Sequence, residues 1–160
     1  MHRTGTAVSI EERADVESVR FLTDSIRLKT DRRSELYNIT DSIQDALKRH
    51  RVGEGLVIVS SLHTTLALFV NEWQSALLHD IKQMLDTIVA PGNGYRHDDP
   101  RYSDCDRRNA HAHLQATLLG HTLALPVRSG ELLLGQFQAV IAAELDGPRS
   151  RDIALQIVGR

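Results

Sequence analysis

The chain has 160 residues, a formal net charge of −2, and hydrophobic and charged fractions of 41% and 25%. That is the balance of one globular domain with a core large enough to need no staple. The scattered arginines give no footprint for nucleic acid, no apolar run reaches the length of a membrane span, and the single cysteine, Cys105, excludes an internal disulfide.

Residues 1–18 are polar and of mixed charge, and are expected to form a leader to a domain over 19–160. They lack the apolar stretch of a signal peptide, which makes the cytoplasm the expected location. "VRFLTDSIRLKT" is the first strand. "YNITDSIQDALKRH" reads as a helix capped by Thr40 or Asp41, with an apolar stripe of Ile43, Ala46 and Leu47, and "VGEG" ends it.

Residues 56–70 read as strand, bent near Ser60–Thr65. "NEWQSALLHDIKQMLDTIVAPG" then gives a helix, with Asn71 as its cap and Gln74 as capping-box partner. Trp73, Leu77, Ile81, Met84 and Ile88 recur on one side of it, and Pro91-Gly92 stops it. A long polar loop, "GNGYRHDDPRYSDCDRR", precedes a shorter helix, "AHAHLQATLLG".

The C-terminal third reads as sheet. "HTLALPV" and "ELLLGQFQAVIAAEL" flank a hairpin turn at "RSG", and "DGPR" turns the chain into a closing strand, "DIALQIVG". Mixed order with terminal hairpins predicts a single α+β domain, a mostly antiparallel sheet packed with two to three helices.

Polar groups placed among aliphatic residues mark where chemistry is expected, because burying them unpaired is costly. His63 and Thr65 in "SSLHTTLALFVNE" share one strand face. His97 sits among Arg96, Asp98 and Asp99 in the long loop. In "NAHAHL" a helix turns His111 and His113 about 200° apart, so only one can face a site. His113, beside Leu114 and Leu118, is expected at the border of the buried face, and His111 outside. Gln136, Gln138 and Glu144 fall on one face of a continuous strand. His63, His97 and His113 together would supply three nitrogens and leave one coordination position open, as catalytic zinc sites do. Glu72 and Glu144 are candidate bases for metal-assisted hydrolysis.

"HTTLALFVNE", "YRHDD", "AHLQATLLG" and "LALPVRSGELLLGQFQAVIAAELDGPR" together resemble the YjbQ family, also called UPF0047, over residues 25–158. The resemblance implies an α+β fold, a homotrimer with polar pockets near subunit interfaces, and thiamine-phosphate synthase activity of a weak or secondary kind. It places functional roles on His63, Thr64, Asn71, Glu72, His97, His113, Gln138, Glu144, Asp146 and Arg149. Phe137 stands where members carry tryptophan, and His121 where they carry a small residue. With Arg96 added from the loop, the expected assignment has Glu72, Glu144, Gln138 and Arg149 as catalytic residues. Thr64, Asn71, Arg96 and Asp146 bind the small-molecule ligand, phosphorylated in the thiamine reaction. His63, His97 and His113 hold a divalent metal, zinc by preference. A non-catalytic trimer that captures metal or ligand is the alternative, and neither nucleic acid nor membrane is an expected partner.

Overall fold

The computed structural model describes residues 18–160; the expected leader lies outside the described residues except for Ser18. Strand β1 (Arg20–Lys29) and the short β2 (Glu35–Asn38) lead into helix α1 (Thr40–His50). Strands β3 (Gly55–Ser61) and β4 (Leu66–Glu72) precede helix α2 (Ser75–Ile88), and a 3-10 turn at Arg96–Asp98 precedes helix α3 (Ala110–Leu119). Strands β5 (Thr122–Arg128), β6 (Glu131–Leu132), β7 (Gln138–Glu144) and β8 (Ser150–Gly159) complete the domain.

The strands form two antiparallel sheets, ordered β1-β8-β3-β5-β6 and β2-β7-β4. The fold is α+β with three helices, as expected, but the sheet is divided. The predicted 56–70 strand is two strands in different sheets, separated by a turn at Leu62–Thr65. Ser61 closes that turn locally: its Oγ accepts the His63 N–H and donates to the His63 carbonyl, both at 3.2 Å.

Alternation explains how the layers meet. On β8, Arg151, Ile153, Leu155 and Ile157 are buried while the residues between them are partly exposed. The isoleucines and leucine pack with Val57, Val59, Leu66, Leu68 and Val140, and with Ile43 and Leu47 of α1, in the main core. The opposite face of the small sheet presents Ala67 and Ala143, whose small side chains let α3 approach through Ala112 and Ala116.

Helix boundaries move from the expected positions for identifiable reasons. Asn38 Oδ1, not a Thr40 or Asp41 side chain, accepts the Thr40 N–H at 3.0 Å. The helix ends on Arg51 in a left-handed conformation, φ 51°, before the glycines are reached. Asn71 and Glu72 are still strand, paired with Ala139 and Gln138; Gln74 caps α2, its Oε1 accepting the Leu77 N–H at 2.7 Å. Only Ile81 and Leu85 of α2 are buried, whereas Trp73, Met84 and Ile88 are exposed. Among the described residues the helix packs through a narrow strip, so much of its apolar stripe is exposed.

Candidate functional site

A fully buried ion pair anchors the end where β7, β8 and β1 meet. Glu144 and Arg151 are 0% and 3% exposed, and Arg151 donates to the carboxylate through both Nε, at 2.6 Å, and Nη2. Thr30 Oγ1 donates to Glu144 Oε2 at 3.0 Å, the Asp146 N–H donates to Oε1 at 2.8 Å, and Arg151 Nη2 reaches Thr65 Oγ1 at 3.0 Å. Both carboxylate oxygens of Glu144 therefore face the protein. The group holds the strand ends together and has no open side for a substrate proton.

His63 sits beside this pair. Its Nε2 accepts the Asp152 backbone N–H at 2.8 Å, which places the ring proton on Nδ1 and leaves that edge a donor. Desolvation, reinforced by the Arg151 charge, lowers the His63 pKa from the ordinary 6.5. A neutral ring whose Nε2 lone pair is already used does not match the metal-ligand role expected of it.

The "DGPR" turn carries a second buried acid. Asp146 is 0% exposed. Arg107 grips it side-on, Nε to Oδ2 at 2.7 Å and Nη2 to Oδ1 at 3.0 Å, and Asn109 Nδ2 adds 2.9 Å to Oδ2. Burial pushes the Asp146 pKa up, but Arg107 and Asn109, with the charge of Arg149, bring it below the ordinary value. Gly147 makes this turn possible. A Cβ there overlaps the Arg32 carbonyl oxygen and lies 2.9 Å from Glu144 Cγ. Gly147→Ala is expected to cost about 1–3 kcal/mol, read as a lowered urea midpoint at unchanged slope.

His97 and His113 meet edge to face, ring centroids 5.0 Å apart. They border a cavity of about 300 Å³ with Tyr95, Ala110 and Leu114. Asp98 Oδ1 accepts the Ala110 N–H at 2.9 Å, capping α3 and fixing the loop to the helix that carries His113. Ser103 Oγ lies 3.4 Å from His97 Nδ1. Desolvation, then the neighbouring His97, lowers the His113 pKa, while Asp146 acts in the opposite sense. His113 thus lies within the field of the Asp146 cluster.

The expected residues do not form one site within a single chain. Gln138 and Glu144 stand at opposite ends of β7, about 20 Å apart at the usual rise per residue. Glu72 pairs with Gln138 at the far end, and Gln138 Oε1 accepts the Gly135 N–H at 2.7 Å. Asn71 Oδ1 accepts the Glu72 N–H, Thr64 is an exposed turn residue, and Arg96 stacks over Tyr102 at 5.4 Å. Among the described residues no group of three or more His, Cys, Asp or Glu side chains is placed to hold a metal ion.

On α3 the buried face carries Ala112, Gln115 and Ala116. Leu114 and Leu118 point outward at 42% and 58% exposure, and His111 is half-buried with its Nδ1 enclosed. Both reverse the expectation for this helix, because the small alanines, not the leucines, fit the close approach to the sheet. Arg107, Asn109, Thr30 and Arg151 were not expected in the site. Arg151 alone left a signal, a basic residue in phase with the buried aliphatic positions of β8.

The family model for UPF0047 protein YjbQ-like matches residues 24–160. The chain belongs to the YjbQ family. A UPF0047 protein of Archaeoglobus fulgidus is 41% identical over 131 residues, covering 82% of this chain and 97% of that one. A UPF0047 protein of Methanothermobacter thermautotrophicus is 38% identical over 138 residues, 86% of this chain and 92% of its own. The crystal structure of a YbjQ-like protein of unknown function from Sulfolobus solfataricus superposes with a TM-score of 0.82 at 34% identity, covering 89% of this chain and all of that one. These YjbQ relatives confirm the α+β architecture. No described helix is long and apolar enough to cross a membrane.

Within the YjbQ frame, the neutral histidines make a pH prediction. The folded-state pKa values of His63 and His113 lie below 6.5, so between those values and 6.5 the unfolded chain binds more protons than the folded one. Stability is therefore complete above the ordinary histidine value and declines as pH falls through that window. Urea midpoints measured across the window should fall before the carboxylates titrate, and His63→Gln should flatten the slope. An unchanged slope would remove His63 from the account.

Proposed function

We propose that His97 and His113 form the two-imidazole part of a divalent-metal site, with zinc preferred, at which this YjbQ-family protein works as a small metal-assisted enzyme on a small-molecule substrate. The observation that carries the reading is the meeting of the two rings, one from the loop and one from α3, over a shared cavity. A neutral imidazole is the form that ligates, and the lowered His113 pKa favours it.

As donors the two residues fit such a metal; a three-histidine set that includes His63 does not, because its Nε2 is engaged. The remaining positions are left to water, substrate, or a group from a neighbouring copy of a homotrimer. In that assembly the Asn71, Glu72 and Gln138 end of one chain would serve the histidine end of another. Bound zinc would polarise a carbonyl or phosphoryl oxygen and bring the pKa of its water toward neutrality.

The chain's own residues orient the two rings and line the cavity beside them. Ser103 beside His97 Nδ1 steadies that ring. Tyr95, Ala110 and Leu114 line the cavity that the rings border, with His97 exposed and His113 half-buried. Asp146, through Asn109, holds the start of the helix that carries His113.

The test uses protein purified without a histidine tag, loaded with zinc and dialysed. About one zinc per chain is expected. The loaded protein is then assayed for thiamine phosphate formation and for phosphomonoester hydrolysis. Turnover that disappears in His97→Ala supports the enzyme; zinc held without turnover favours capture alone. Less than about a tenth of an equivalent sinks the metal reading.

A further inference from the structure

We propose that Arg33, Arg107 and Arg149 form a binding site for a phosphoryl group, a reading that stands without the metal. All three guanidiniums lie within 4 Å of the one Asp146 carboxylate: Arg107 Nε at 2.7 Å, Arg149 Nη2 at 3.4 Å and Arg33 Nη2 at 3.9 Å. One carboxylate neutralises one of them. The nearest other buried acid, Glu144, is committed to Arg151. Four guanidiniums against two buried carboxylates leave two positive charges. The exposed Asp106, which acts on Arg107 from the same loop, reduces the excess to one.

The layering of charge decides which way the excess points. The Asp146 side chain is 1% exposed, whereas those of Arg33, Arg107 and Arg149 are 56%, 40% and 39% exposed. The negative charge is therefore interior and the positive charge faces solvent. Arg33 donates to the Arg107 and Arg108 carbonyls at 3.2 and 3.4 Å, and Arg149 Nε donates to the Asp146 carbonyl at 3.2 Å.

These bonds use Nη2 or Nε in every case, and no described protein acceptor meets the Nη1 groups. Three planar donors held in one small patch, each with unused N–H groups, match the several oxygens of a phosphoryl group. Arginine binds such groups through paired hydrogen bonds. A surface ion-pair network alone would place its acid where solvent and all three cations share it. Here the acid sits beneath the cations and fixes them from behind.

Calorimetric titration of the full chain at low ionic strength, with inorganic phosphate and separately with glycerol phosphate, tests the site. Saturable binding with a Kd of about 1 mM or tighter is expected for at least one of them. Tighter glycerol phosphate points to a phosphorylated organic ligand, and tighter or equal inorganic phosphate to the free ion. Arg33→Gln, whose exposed side chain hydrogen-bonds two main-chain carbonyls and stands farthest from Asp146 of the three, at 3.9 Å, should weaken binding about tenfold without disturbing the fold.

Arg107→Gln should weaken binding more, with circular dichroism as its folding check. Arg27→Gln removes a surface arginine paired with Asp152 and should leave binding unchanged. His113→Ala should also leave phosphate binding intact while removing zinc, which separates this proposal from the metal site. No saturation up to about 10 mM of either probe, or Arg33→Gln binding like the parent, overturns it.

Discussion

Arg151→Met is expected to destabilise the domain by about 3–5 kcal/mol, because it strands the Glu144 carboxylate in the interior without its cation. Both side chains are almost wholly excluded from solvent, 4% and 0% exposed, so water cannot replace the lost partner. The remaining donors, Thr30 Oγ1 and the Asp146 N–H, are neutral dipoles. The readout is the urea or thermal midpoint at neutral pH. Glu144→Leu combined with Arg151→Met should cost less than Arg151→Met alone, since neither charge is then orphaned. Thr65→Val, which removes one bond to the guanidinium, should cost about 1.5–3 kcal/mol. If Arg151→Met unfolds no more readily than Thr65→Val, the pair is not what joins β7 to β8. The ordering also bears on function: loss of activity in a Glu144 variant must be read against loss of fold.

His113→Ala is expected to reduce zinc affinity by about 100-fold or more, and His97→Ala by a comparable factor. A two-imidazole set keeps little hold on the ion through one ring, and even groups behind the ligands are worth about 10–100-fold. Competition with a chromophoric chelator gives the number. Acidity supplies an independent check. Protons compete with zinc only once the imidazole titrates, and the His113 pKa is depressed by desolvation and by His97. The His113 ring should therefore keep its hold on zinc to a lower pH than an ordinary imidazole would, and lose it as the pH falls further. Ser103→Ala should shift retention only modestly, since it touches His97 at 3.4 Å and no ring nitrogen of His113. Zinc affinity unchanged by either histidine substitution would assign any bound metal elsewhere.

These two predictions separate support from chemistry, a distinction the linear chain partly concealed. Residues placed together by their spacing, such as Gln138 and Glu144, share a strand face yet belong to opposite ends of the domain. Residues far apart in order, such as Arg107 and Asp146 or His63 and Asp152, meet through hydrogen bonds. Periodicity reports which face of its own element a side chain occupies; it carries no information about which end of the sheet another element reaches.

Local rules determined the α+β class, the helices and the antiparallel strands, because alternation and helical period are properties of short stretches. The tertiary structure decided the rest. It split residues 55–72 between two sheets, turned the alanine face of α3 inward, tied up His63 Nε2 on a backbone N–H and buried Glu144 against Arg151. Each of these follows from long-range packing and charge compensation, whose energies depend on partners dozens of residues away. A polar residue in an apolar stretch announces that it needs a partner, but only the fold names which one.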